Sequence, residues 1–193
     1  MPVQVIEGKI IKQCKQNDRD GYNALFKKYE GYIYTICYHY TNSKEDALDL
    51  VQEVFIRIYK GMAKFEEGKP LLPWIKRITV NTCLNYVRSN KIATVSLNQS
   101  ANQEGNAIEN MVADSADVEK TVILALTRSV LDETIATLPP EMKLAIILRH
   151  IDGMSYEEIG NAMSAPIGTI KTYLYRGRSI LKAKLQQYDV WEV

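Results

Sequence analysis

Five cations fall within fourteen residues near the C-terminus, Lys171, Arg176, Arg178, Lys182 and Lys184, with no acid among them. A basic run on an otherwise neutral segment is a footprint for phosphate. If the segment is helical, it also exposes Thr172, Tyr173 and Tyr175. Lys171 and Thr172, early in that helix, suit base edges or nearby phosphates, while Arg176 and Arg178 suit the nucleic-acid backbone. On charge alone the same run also fits an ordinary solvated helix face.

A second group is Arg77, Asn81, Asn85 and Arg88, spaced by four, four and three residues. That spacing places them near one another on a helix, away from Leu71, Ile75, Ile78 and Thr82. Amide side chains offer both donors and acceptors to base edges, and arginines offer charge. Phe65, shortly before, has the ring that stacking on a base or wedging between base pairs requires, although such a ring also suits a core. A third group, Asp49, Gln52 and Glu53, shares one helix edge and could dock a basic or polar partner helix or simply face water.

Residues for catalysis do not assemble. The only histidines are His39 and His150, neither in a local motif with a nucleophile, and no phosphate-binding glycine loop is present. Cys14, Cys37 and Cys83 are far apart, form no CxxC pair and read as buried reduced thiols. No metal, no cofactor and no enzymatic activity are expected.

The elements that must position these groups read as helices throughout. Residues 9–90 alternate apolar-periodic segments with short breaks, the first at Asn17-Asp18-Arg19-Asp20-Gly21. Ser43 with Asp46 gives a capping-box signal, and Leu48, Val51, Phe55, Ile58 and Met62 follow as an apolar stripe. After Glu66-Glu67-Gly68-Lys69-Pro70, a helix is expected from Leu72 to Asn90. Leu131, Ile135 and Leu138 define a short helix stopped by Pro139-Pro140; Leu144, Ile147, Leu148 and Ile151 define the next, ended by Asp152-Gly153. Ser155-Tyr156-Glu157-Glu158 is a second capping box, opening a helix through Met163. The turn Ser164-Ala165-Pro166 then leads to a final helix near Gly168. A capped short helix, a tight turn and a longer basic helix make a helix-turn-helix. Ile159 and Ala162 are expected to pack on Ile170 and Leu174, with Gly160 allowing close approach.

The fold class is therefore all-α, with two small helical domains joined by a flexible linker: residues 1–92, 93–127 and 128–193. Residues 96–106 are polar and offer little to bury against their ordering entropy. Charge divides the same way: residues 1–91 carry 15 basic and 10 acidic side chains, 92–127 carry 1 and 5, and 128–193 carry 8 and 8. No apolar run is long enough to span a bilayer, and Met1-Pro2-Val3-Gln4 lacks a signal-peptide pattern, so a cytoplasmic location is expected.

Three motifs in order carry a resemblance. Asp46-Ala47-Leu48-Asp49-Leu50-Val51-Gln52-Glu53-Val54-Phe55-Ile56-Arg57-Ile58-Tyr59 closely resembles the core-polymerase-binding segment of bacterial sigma factors. Phe65, Pro73-Trp74-Ile75-Lys76-Arg77-Ile78, Asn81-Thr82 and Asn85-Tyr86-Val87-Arg88 resemble their segment for the −10 element. Met154-Ser155-Tyr156-Glu157-Glu158-Ile159-Gly160 with Ile167-Gly168-Thr169-Ile170-Lys171-Thr172 resembles their −35-reading helix-turn-helix. With two domains and a direct linker, the chain resembles the extracytoplasmic-function group of the sigma-70 family.

The resemblance implies that Asp49, Gln52, Glu53 and Phe55 face core RNA polymerase. It implies that Phe65, Arg77, Asn81, Asn85 and Arg88 serve the −10 element, where a flipped base is captured. Lys171, Thr172, Tyr173, Tyr175, Arg176 and Arg178 would serve the −35 element. Residues around Leu144, Ile147 and Leu148 would serve the C-terminal core, and an anti-sigma factor is an implied partner. Tyr173 stands where many relatives carry arginine, which weakens the expected phosphate contact there. The competing reading is a stand-alone helix-turn-helix regulator, which predicts dimerisation and a palindromic site.

Overall fold

The computed structural model describes residues 3–94 and 130–186, and every regular element among them is a helix. In chain order these are α1 (Val3–Lys15), α2 (Arg19–Thr41), α3 (Lys44–Met62), α4 (Leu71–Thr94), α5 (130–136), α6 (Pro140–His150), α7 (Tyr156–Met163) and α8 (Ile167–Leu185). The expected flexible linker falls largely on residues outside those described.

The N-terminal half is built on α2. Leu25, Tyr29, Ile33, Ile36, Cys37 and Tyr40 recur at three- and four-residue steps along it and are all buried. Asp18 caps its start by accepting from the Asp20 N–H at 2.9 Å. Its end is turned by Asn42 in the left-handed region, with φ of 57°. Ser43 then caps α3 by accepting from the Asp46 N–H at 3.3 Å. Because the connection is so short, α3 folds back along α2. At the crossing of α1 and α2 only glycine fits: a Cβ on Gly21 would lie 2.5 Å from that of Gln13.

Glu7 ties three elements together. One of its carboxylate oxygens accepts from Lys28 Nζ at 2.7 Å and from the Tyr29 hydroxyl at 2.8 Å on α2. The other accepts from the Leu71 N–H at 3.4 Å, at the start of α4. A carboxylate suits that end of a helix, where unpaired N–H groups carry partial positive charge.

Two expectations about the elements are corrected. Leu48 was placed in the inward stripe of α3, but it is 44% exposed. The inward face is instead Ala47, Leu50, Val51, Val54, Ile58 and Met62. The fourth helix runs Leu71–Thr94, longer at both ends than the Leu72–Asn90 span. Pro73 fits in its first turn, where the missing N–H has no intrahelical acceptor to lose.

The C-terminal half has its own core, in which Leu144, Ile147, Leu148, Ile159, Ile170 and Leu174 are almost wholly buried. It packs against the N-terminal half, with α7 and α6 lying on α4 and α6 also meeting α2. The Asp152 carboxylate, in the turn after α6, accepts from Lys76 Nζ on α4 at 2.7 Å and from the Tyr32 hydroxyl on α2 at 3.0 Å. In the reverse direction, the Lys143 ammonium of α6 sits 5.6 Å from the ring centre of Tyr40 on α2.

Candidate nucleic-acid interface

The helix-turn-helix is held by the signals its sequence carries. Ser155 accepts from the Glu158 N–H at 3.2 Å, and the Glu158 carboxylate accepts from the Ser155 N–H at 2.8 Å. These bonds hold the Glu158 carboxyl below the usual carboxylate range, with a smaller contribution from the charge of Lys76. At the other end of α7, Ser164 adopts φ of 53°, and the Ala165 N–H donates to the Gly160 carbonyl at 2.9 Å. A Cβ on Gly160 would meet the Ala165 carbonyl oxygen at 3.0 Å and Ile170 Cγ1 at 3.8 Å, so glycine permits this approach of turn and helix.

With Ile170, Leu174, Gly177 and Leu181 turned inward, α8 presents Lys171, Thr172, Tyr175 and Arg176 outward. Tyr175 is 71% exposed. Thr172 is exposed and donates its hydroxyl to the Gly168 carbonyl at 2.9 Å. Tyr173 is half-buried on one flank.

Arg178 departs from the expectation that pairs it with Arg176. At about 100° per residue the two lie some 200° apart around the helix. Arg178 instead lies on the flank toward α7, where Nη2 approaches the Tyr156 hydroxyl at 3.5 Å. That contact, and then its charge, hold the Tyr156 phenol below its ordinary value. Arg178 also lines, with Leu131, Ile135, Ile146 and Leu181, an apolar groove of about 620 Å³ between α5, α6 and α8. Burial, followed by the charges of Arg178 and Arg149, lowers the His150 pKa at this rim.

On α4 the structure leaves Arg77 and Asn85 exposed and Asn81 half-buried, along one side of the helix. The side chain of Arg88 lies outside those described. Phe65 is not offered as a stacking platform: it is 7% exposed, with its ring centre 4.8 Å from that of Trp74. The turn through residues 63–70 folds it inward, and its apolar area is more stable there than in water.

On α3, Asp49 and Gln52 are exposed, Glu53 is half-exposed and bonded to Arg57 at 2.7 Å, and Phe55 is half-buried against Phe26. Sequence reasoning missed what accompanies them. Leu48, Ile56 and Tyr59, exposed by 44, 45 and 56%, share the outer face with Asp49 and Gln52. An apolar patch with polar neighbours on one helix face is the composition of a protein-binding surface.

Among the described residues, no group of three or more His, Cys, Asp or Glu is placed to hold a metal ion, and no helix is long and apolar enough to cross a membrane. The three cysteines are free and buried; burial, then the charge of Asp18, pushes the Cys14 thiol up to about 11.

A helical N-terminal unit with a polar-faced α4 and a two-faced α3, followed by a basic helix-turn-helix, defines a bacterial sigma-type architecture. The description Sigma-70 region 2 matches residues 25–92, and Sigma-70, region 4 matches residues 128–181. The ECF RNA polymerase sigma factor SigW of Bacillus subtilis is 31% identical over 179 residues, covering 92% of this chain and 96% of the relative. The ECF RNA polymerase sigma-E factor of Escherichia coli K12 is 29% identical over 191 residues, covering 96% and 97%. In fold the chain is similar to CnrH, solved in complex with the cytosolic domain of CnrY, with a TM-score of 0.63, 18% identity, and coverage of 93% and 97%. The chain belongs to the ECF sigma factor family.

Proposed function

We propose that this protein brings core RNA polymerase to promoters whose −35 element is read by α8 and whose −10 element is held along α4. The two halves bind and position, and the polymerase performs the nucleotide chemistry, so the chain itself is not an enzyme. Its place of work is the cytoplasm, with the DNA. The observation that carries the reading is the pairing, in one chain, of an open basic recognition helix with the outward apolar and acidic face of α3. A duplex-binding regulator uses the first and has no use for the second.

On α8, Lys171, Thr172, Tyr175 and Arg176 face the −35 major groove, and Tyr173 and Arg178 flank it. On α4, Arg77, Asn81 and Asn85 meet the −10 strand, with Arg88 continuing the stripe; Phe65 joins them only if its turn opens. On α3, Asp49, Gln52, Glu53 and Phe55 dock polymerase together with Leu48, Ile56 and Tyr59. An anti-sigma factor is a further partner of this reading, as in the solved complex of the Bartonella quintana sigma factor RpoE with NepR.

Transcription in vitro with purified core polymerase, with and without this protein, on genomic DNA from its source tests the proposal. New transcripts starting downstream of a shared two-part motif are expected. Sequence-specific duplex binding as a dimer on a palindrome, with no new transcripts, would replace it with a stand-alone regulator.

A further inference from the structure

We propose that the apolar groove between α5, α6 and α8 is a docking site for this chain's own C-terminal segment, Gln187–Val193, with Trp191 as its anchor. The inference is independent of the DNA and polymerase roles proposed above.

The groove suits an apolar occupant with acidic edges. Leu131 and Ile135 of α5, Ile146 of α6, and Leu181 and Leu185 of α8 line a space of about 620 Å³. That lies within the ~300–1,000 Å³ of sites that enclose a ligand. Leu131, Ile135 and Leu185 are only half-buried, so the walls are open to water. Apolar walls are more stable against an apolar occupant than against water. The polar groups at the edge include Arg178 and Lys182, both exposed, and no acid is among the described lining residues.

The connectivity of the chain names the occupant. Gln186, the last described residue, is itself a lining residue, so the chain leaves α8 at the groove's own edge. Gln187-Tyr188-Asp189-Val190-Trp191-Glu192-Val193 follow. Four of these seven are apolar or aromatic and two are acids, a match in kind to the walls and in sign to Arg178 and Lys182. Trp191 brings the largest apolar surface of the set, ~150–250 Å². The lining residues on α8 run from Arg178 to Gln186, about 12 Å of helix. Seven extended residues reach about 23 Å, so the segment can turn back and still reach the far end. Its tether presents it at about millimolar effective concentration, so modest contacts suffice to hold it. Any partner that enters the groove has to displace the segment, and its apparent affinity falls with the fraction of molecules whose groove is open.

Trp191 is its own reporter, because Trp74 is the other tryptophan of the chain. In the full chain carrying Trp74→Phe, red-edge excitation should give Trp191 emission blue of free N-acetyltryptophanamide. Quenching by acrylamide should be several-fold weaker than for the free amide, and the same at every protein concentration. Leu131→Ser and Ile135→Ser, each checked for native helicity by circular dichroism, should shift the emission to the red and restore quenching. Ile180→Ser, on α8 but outside the groove, should do neither. A second readout leaves the helices untouched. Trp191→Ser in the otherwise native chain should bind an anilinonaphthalene sulfonate dye several-fold more than the native chain, because the groove is uncovered. Trp191 as quenched as the free amide, or dye binding unchanged by Trp191→Ser, gives the groove to another occupant and overturns the proposal. Protection that grows with protein concentration assigns the groove to a second copy of the chain and overturns it as well. An equal response to Ile180→Ser places Trp191 elsewhere, with the same consequence.

Discussion

At the residue scale, most of what the chain does is decided by where a charge is spent. Glu7 is spent on structure. Burial raises its pKa, but bonds from Lys28, Tyr29 and the Leu71 N–H outweigh this and hold the carboxyl below its ordinary value. A carboxyl lowered on folding contributes stability that is present above its unfolded pKa and is lost as pH falls through its folded value. Glu7→Gln should therefore cost about 1–3 kcal/mol at neutral pH by leaving a lysine and a hydroxyl poorly matched. The gap should close below about pH 4.5 in a series of denaturant melts. A gap that widens on acidification would mean the carboxyl is raised instead. Arg176 and Arg178 are spent differently despite sharing a residue type. Arg176→Ala should weaken duplex binding several-fold and reduce the salt slope by about 1. Arg178→Ala should change the slope less, because Arg178 is turned toward Tyr156. The reverse order in a salt titration would place Arg178, not Arg176, on phosphate.

At the element scale, helix ends were far more legible than helix faces. Ser155 and Glu158, or Ser43 and Asp46, announce a start because the cap is made by residues three apart, a purely local event. The face of α3 is not local. Leu48, Phe55, Ile56 and Tyr59 recur at helical spacing, and so do Ala47, Leu50, Val51, Val54, Ile58 and Met62. The helix is apolar on two sides, and only the packing partners decide which side is the core of this chain. That ambiguity is itself informative, since the leftover side is the one that the proposed function assigns to polymerase docking. Leu48→Ser with Tyr59→Ser should reduce capture of core polymerase at least as much as Gln52→Ala with Glu53→Ala, with little change in melting temperature. A large fall in melting temperature would show that the outer face supports the fold instead. The turn before α8 carries a small strain, because Ser164 holds φ of 53° where glycine is at ease. Ser164→Gly should leave stability unchanged or raise it by up to about 1 kcal/mol, as lost left-handed strain offsets added unfolded-state entropy. A loss beyond about 1 kcal/mol in thermal denaturation would mean the serine side chain has a structural partner.

At the scale of the whole molecule, the two-domain division could be read from composition, but the docking of the halves could not. Asp152 finds its partners 76 and 120 residues away, and nothing local to Asp152-Gly153 distinguishes a turn that docks from one that only turns. The contact is also of an unusual kind. Each half inserts a charge into the other: Lys76 reaches Asp152, and Lys143, itself only 8% exposed, reaches the ring of Tyr40. Burial lowers the Lys143 pKa, against smaller opposing effects of Asp132 and Cys83. An interface that desolvates cations holds less tightly than an apolar one of the same size, because much of the attraction repays the lost hydration. Such a contact is easier to part than an apolar one of the same size. Lys143→Met keeps the aliphatic stem and removes the charge, so it should favour the docked state by about 1 kcal/mol or more. Fluorescence transfer across the two halves should then persist to higher salt and denaturant than in the wild type, and initiation with core polymerase should slow. If Lys143→Met instead lowers the transfer, the attraction between the ammonium and the Tyr40 ring outweighs its desolvation, and the charge fastens the halves together.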